Sequence, residues 1–205
     1  MPISSENIVW IDCEMTGLDL DKDALIEVAV LVTDPELNIL GEGVDVVIKP
    51  TDAALAHMGD FVRTMHTTSG LIDELDAGIT MEEAQRQVLD YIKKWVPVPR
   101  KAQLAGNSIG TDKMFLLRDM PEVIDYLHYR VIDVSTIKEL ARRWYPRAYF
   151  QSPAKTGGHR ALGDIKDSID ELRYYRAAVF VPAPGPDSEQ AAAIARGMRA
   201  ESPTE

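Results

Sequence analysis

The segment "IVWIDCEMTGLDLDKDALIEVAVLV", residues 8–32, constrains the chain more than any other. Ile8, Val9, Trp10 and Ile11 begin a core strand, and Asp12 and Glu14 follow at once. Side chains alternate faces along a strand, so Asp12 and Glu14 point the same way, while Cys13 shares the opposite face with Val9 and Ile11. Two carboxylates converging beside an apolar core are costly unless something positive is bound next to them. The fold must therefore bring positive charge to the end of this strand. Cys13 reads as a packing residue, and a single cysteine excludes an internal disulfide and suits a reducing compartment.

Residues 24–34 ("ALIEVAVLVTD") and 38–50 ("NILGEGVDVVIKP", ended by Pro50) are two further strands, and with 7–13 they predict an antiparallel meander. "ALAHMGDFVRTMH" and "TMEEAQRQVLDYIKKWV" read as amphipathic helices. Thr80 and Glu83 form a T-x-x-E cap on the second, and Pro97 and Pro99 stop it. "QLAGN" (103–107) predicts a short buried strand feeding a helix at 108–118; "YRVID" (129–133) is the next strand, and "VSTIKELARRWYP" a helix ended by Pro146. The Pro- and Gly-containing "FQSPAKTGG" (150–158) predicts a mobile loop, and the helix after it carries Leu162, Ile165, Ile169 and Leu172 at 3–4 spacing. The order predicts one α/β domain over residues 1–181, a mixed sheet of three antiparallel strands and then parallel ones, flanked by helices. Residues 182–205, rich in Pro, Ala and acidic side chains, predict a flexible tail with at most one transient helix.

The chain carries a net charge of −11, and its 182–205 tail holds four acids against two arginines, leaving −9 for the domain. Phosphate contacts supply most of the affinity for long nucleic acid and require a basic surface. A nucleic-acid partner of this domain must be short, or held by a few local contacts and metal ions. No apolar run approaches the roughly 20 residues of a membrane span. The start "MPISSENIVW" lacks the basic and apolar pattern of a secretory leader, so a cytoplasmic location is expected.

Two later carboxylates enlarge the opening pair. Asp112, in "GNSIGTDKMFLLRDM", enters the helix after the buried strand; Asp164, in "HRALGDIKDSIDEL", lies near the start of another helix, five residues after His159. Alone, each is an ordinary solvated helix residue. Asp19, Asp21 and Asp23 have the spacing of a calcium-binding loop, but Ala24 stands where that loop needs glycine and Val30 where it needs a bidentate glutamate. They read as a solvated turn, and His57 is assigned no role.

Taken together, "WIDCEMTGLD", "GNSIGTDKMFL" and "HRALGD" (159–164), with "HTTSGL" (66–71) and "HYRVIDVSTIKELARRW" (128–144) between them, resemble the DEDDh family of 3′→5′ exonucleases, and most closely its branch acting on very short RNA. The resemblance covers about residues 6–180, in order and spacing. It implies an RNase H-like fold, with Asp12, Glu14, Asp112 and Asp164 as ligands of two divalent ions, Mg²⁺ or Mn²⁺, and His159 as general base. The residue types suit that chemistry. Hard divalent cations prefer oxygen ligands, a metal pair activates water and stabilises the leaving oxygen, and an imidazole suits proton abstraction.

The resemblance also implies a small pocket holding both ends of the substrate. Leu18 would wedge against the bases, with Phe61 and His66 contacting substrate, and Ser108, Tyr129, Arg130 and Ser135 would cap the 5′-phosphate. Tyr129 and Arg130 would come from the neighbouring subunit of a homodimer. Phe61 stands where the family commonly has tryptophan, which leaves less stacking area and no indole N–H. The implied function is hydrolysis of diribonucleotides, pGpG included, and other very short oligoribonucleotides to nucleoside 5′-monophosphates. Two alternatives remain: a related exonuclease for longer RNA or DNA, and a catalytically inactive RNA-binding or scaffold protein retaining the fold. The acidic domain weighs against the first, and the intact set of four carboxylates and a histidine against the second.

Overall fold

The computed structural model describes residues 6–200. Its strands are β1 (Ile8–Met15), β2 (Leu25–Thr33), β3 (Ile39–Val47), β4 (Gln103–Gly106) and β5 (His128–Asp133). Its helices are α1 (Asp52–His57), α2 (Asp60–Thr68), α3 (Leu71–Glu74), α4 (Met81–Trp95), α5 (Gly110–Asp119), α6 (Pro121–Tyr126), α7 (Val134–Trp144), α8 (Pro146–Phe150), α9 (Ala161–Ala178) and α10 (Ser188–Ala200). The sheet order is β3-β2-β1-β4-β5. β1 pairs antiparallel with β2, and β2 with β3; β1–β4 and β4–β5 are parallel. The mixed sheet expected from the sequence is the one observed.

Helices cover both faces, which is why every residue of β2 is buried and its sequence runs apolar without alternation. On one face Val9, Ile11 and Cys13 pack with Val88 and Ile92 of α4 and with Phe115 and Leu116 of α5. On the other, Trp10, Ala29 and Leu31 pack with Ala161, Ile165 and Ile169 of α9. The indole N–H of Trp10 is satisfied inside by Thr33 Oγ1 at 3.0 Å. Strand alternation then aims Asp12 and Glu14, in phase with Trp10, toward the start of α9.

The helix read across "ALAHMGDFVRTMH" is two helices. Met58 leaves the helical region (φ −54°, ψ 116°) and extended Gly59 caps α2, so the chain turns where helix propensity is weakest. Pro146 ends α7 and, with its fixed φ, opens α8 at its first turn. Thr80 caps α4 by accepting the backbone N–H of Glu83 at 3.3 Å. In the tail, every side chain of α10 from Ser188 to Met198 is exposed. Among the described residues no helix is long and apolar enough to cross a membrane.

Candidate active site

The site lies where β1 outruns β4. Parallel pairing joins β4 to β1 at Val9 and Trp10 and stops, which frees amides further along β1. Asp112, in the first turn of α5, takes one of them: its Oδ1 accepts the N–H of Cys13 at 3.0 Å. The peptide between Asp12 and Glu14 thus fixes a third carboxylate beside them. Asp164 arrives in the first turn of α9, and side-chain ligand atoms of Glu14, His159 and Asp164 all lie within 4.8 Å of one another.

The carboxylates of this arrangement are desolvated and repel one another. Burial, reinforced by Asp112, Asp164 and Glu14, pushes the Asp12 carboxyl from 3.8 up to about 9. Burial, with Asp164, Glu27 and Asp112 adding, lifts Glu14 to about 8. Burial raises Asp112 to about 6 and also raises Asp164. Lys155 opposes the shift at Asp12, and Arg160 opposes it at Glu14, without offsetting either. Carboxylates crowded and desolvated in this way fit a divalent cation, whose charge removes the repulsion and whose preference is for oxygen donors.

The approach to α9 is tightly packed. Asp167 accepts N–H bonds from Thr156 and, at 2.7 Å, from Gly157. A side chain on Gly157 would collide with the Asp164 carboxylate and lie 2.6 Å from the Asp164 nitrogen, so this glycine serves close approach. His159 follows with φ +59°, in the left-handed region that disfavours residues other than glycine. The sequence reading overlooked Glu27 and Arg160. Glu27 lies directly across from Glu14 in the β1–β2 register and is fully buried, and its Oε1 accepts from Arg160 Nε at 2.8 Å. A lone acid inside "LIEVAVLVT" was the signal.

The turn after β1 corrects a second expectation. Asp23 is buried rather than solvated; its carboxylate accepts from Thr16 Oγ1 at 3.0 Å and Asp19 N at 2.8 Å, and meets His57 Nδ1 at 3.1 Å. Gly17 has no room for a side chain because one would strike Asp23. This turn presents Leu18, 74% exposed, and α2 presents Phe61, 81% exposed. His66 is fully buried: its Nε2–H donates to Met15 O at 2.9 Å, its Nδ1 lies 3.9 Å from a Glu14 oxygen, and burial holds its pKa below the usual imidazole value.

Ser108 and Ser135 do meet, through Ser108 N donating to Ser135 Oγ at 2.9 Å, with Asp133 accepting from both residues. Tyr129 and Arg130 do not join them. They are exposed at the opposite end of β5, four and three residues before Asp133 and so about 10–13 Å away along the strand. Arg130 Nε donates to the Tyr129 hydroxyl at 2.9 Å, and its guanidinium lies 5.4 Å from the centre of that ring.

A mixed sheet flanked by helices, with acidic side chains converging at the end of β1, is an arrangement suited to holding a divalent cation. The family model described as Exonuclease (RNase_T) matches residues 9–172. The oligoribonuclease of Streptomyces griseus is 66% identical over 96% of this chain and 98% of its own length, and that of Cutibacterium acnes is 64% identical over 92% and 93%. The chain belongs to this exonuclease family and, within it, to the oligoribonucleases; it is a nuclease hydrolase. Solved structures agree on the fold. Exonuclease I from Methylocaldum szegediense superposes with a TM-score of 0.59 at 19% identity, covering 85% of this chain. Escherichia coli exonuclease I in complex with a dT13 oligonucleotide gives 0.65 at 14% identity over 84%. The chain spans about 41% of the length of these two structures, and at such identity the likeness concerns the fold alone.

Proposed function

We propose that this protein is a two-metal 3′→5′ exoribonuclease that converts diribonucleotides and other very short oligoribonucleotides, linear dinucleotides such as pGpG included, to nucleoside 5′-monophosphates. The observation that carries the reading is the convergence of Glu14, His159 and Asp164 beside half-buried Asp12 and buried Asp112. Asp12, Glu14, Asp112 and Asp164 would hold the ions, Mg²⁺ or Mn²⁺; when bound, these supply Lewis-acid activation of water and stabilisation of negative charge. His159 accepts the water proton on its imidazole as the water oxygen bonds to phosphorus. The P–O3′ bond breaks, O3′ leaves and takes up a proton, and the 3′-terminal nucleotide departs as its 5′-monophosphate.

Substrate selection rests on the exposed groups around the site. Leu18 and Phe61 offer apolar surface to the bases, and stacking on the Phe61 ring contributes about 1–3 kcal/mol. His66, expected from the sequence to contact substrate, is fully buried and acts instead from beneath, bonded to Met15 O with its Nδ1 3.9 Å from Glu14. Ser108 and Ser135 sit at the C-terminal ends of β4 and β5 as part of a 5′-phosphate cap. Arg130, with Tyr129, completes that cap from a second copy, since both lie at the wrong end of β5 to reach Ser108 in their own chain. A forked guanidinium from the partner and two metal ions account for RNA binding by an acidic protein. The domain, residues 1–181, works in the cytoplasm, consistent with its single buried cysteine.

A length series of 5′-phosphorylated RNAs, from two to about ten nucleotides, incubated with Mn²⁺ or EDTA, tests the reading. Fast release of mononucleotides from the dimer, falling with length and abolished by EDTA, is expected. Sustained preference for the longer strands, or activity in EDTA, would overturn it.

A further inference from the structure

α9 begins without a cap of its own, since Arg160, at its N-cap position, makes no side-chain bond to the helix. The first amide, Ala161 N–H, is instead satisfied from across the molecule by Glu27 Oε2 at 2.9 Å. The other oxygen of Glu27 accepts from Arg160, and the same guanidinium bonds Glu74 at the end of α3 at 2.7 and 3.1 Å. Glu27 is fully buried. A carboxylate is hidden at that depth only when its oxygens are bonded and its charge is matched, and both conditions are met here by residues 160 and 161 alone.

The consequence falls on His159. On its N-terminal side the chain is tied down at Gly157 by Asp167, and on its C-terminal side at Arg160 and Ala161 by Glu27 and Glu74. His159 occupies a left-handed backbone conformation between these two anchors, a conformation that persists only when the surroundings enforce it. Glu27 also stands opposite Glu14 in the sheet, so one residue references β1, the histidine loop and the helix bearing Asp164 to a common point.

We propose that Glu27, acting through Arg160 and Ala161, is a positioning residue for His159, with Glu74 as the solvent-facing arm of the same clamp. The inference rests on the reading of His159 as general base. Catalytic groups must be held to a fraction of an ångström, and misplacement by about 1 Å can lower turnover about a hundredfold.

The test uses the full chain with Mn²⁺ and a 5′-phosphorylated diribonucleotide. Glu27→Gln keeps the shape but donates where it should accept, and Arg160→Lys keeps the charge but loses the fork. Each is expected to lower kcat at least tenfold with KM within about threefold, and Glu74→Gln is expected to have a smaller effect. The decisive measurement is Glu27→Gln in a His159→Ala background. If Glu27 works through the histidine, the second substitution costs less than threefold there. Wild-type kcat in both Glu27→Gln and Arg160→Lys, or a full tenfold loss persisting on His159→Ala, overturns the proposal. Should Glu27→Gln fail to fold, Arg160→Lys carries the same cycle. A His159→Ala protein with undiminished kcat would instead overturn the general-base reading, and a wild-type protein inert toward dinucleotides the substrate reading.

Discussion

Neutralising Asp12 should make the metal-free protein more stable while abolishing its activity. The unfolded chain releases the Asp12 proton near 3.8, and the fold holds it to about 9. At pH 7 the folded state therefore retains the proton about three pH units beyond its ordinary value, a cost of about 4 kcal/mol at about 1.4 kcal/mol per unit. Between 3.8 and about 9 the folded state binds more protons than the unfolded one, so the stability of the metal-free protein falls as pH rises through that window. Asp12→Asn has the same shape and no charge to desolvate. The expected gain is about 2–4 kcal/mol at pH 7, or about 5–15 °C in Tm for a chain of this size, shrinking toward pH 4. Thermal and urea unfolding in EDTA at pH 5, 7 and 8 measures it. With saturating Mn²⁺ the order should reverse, because the wild type alone binds the ions with full affinity. An Asp12→Asn protein that is less stable than wild type in EDTA, or whose gain does not grow with pH, would refute the electrostatic reasoning.

Three further outcomes follow from particular contacts. Mixing an Asp112→Ala protein with an Arg130→Ala protein should restore up to about a quarter of wild-type turnover, because a mixed dimer regains one complete site; no recovery after subunit exchange would place Arg130 in its own chain's site. Phe61→Trp should lower KM for dinucleotides about two- to fivefold at constant kcat, reflecting up to about 1 kcal/mol of added stacking, as read from steady-state kinetics. Gly157→Ala should lower kcat more than tenfold and destabilise by about 1–3 kcal/mol in urea unfolding, since its methyl group must displace Asp164 or the loop.

The strands and their order were legible because β1 and β2 are nearly unbroken apolar runs and the turns between them are short. The four carboxylates and His159 could be placed on elements from sequence because each stands at the end of a strand or the start of a helix, where a charge interrupts a periodic pattern. The supporting contacts were hidden for the opposite reason. Glu27 and Arg160 are 133 residues apart, and no local period connects them. Asp23 resembled its solvated neighbours Asp19 and Asp21, and only Thr16 and His57, folding over it, distinguish it. The break between α1 and α2 was missed because the apolar stripe continues in phase across Met58 and Gly59 while the backbone does not.

The two edges of the sheet are unlike. At β3, Gly41 and Gly43 adopt positive φ and Glu42 is exposed, so this edge is bent and carries a charge. At β5, Tyr129 and Val131 stand exposed with Arg130 between them. In the dimer proposed above, dilution that separated the two copies would take Arg130 away from its partner's site, so turnover per chain should fall as protein concentration falls.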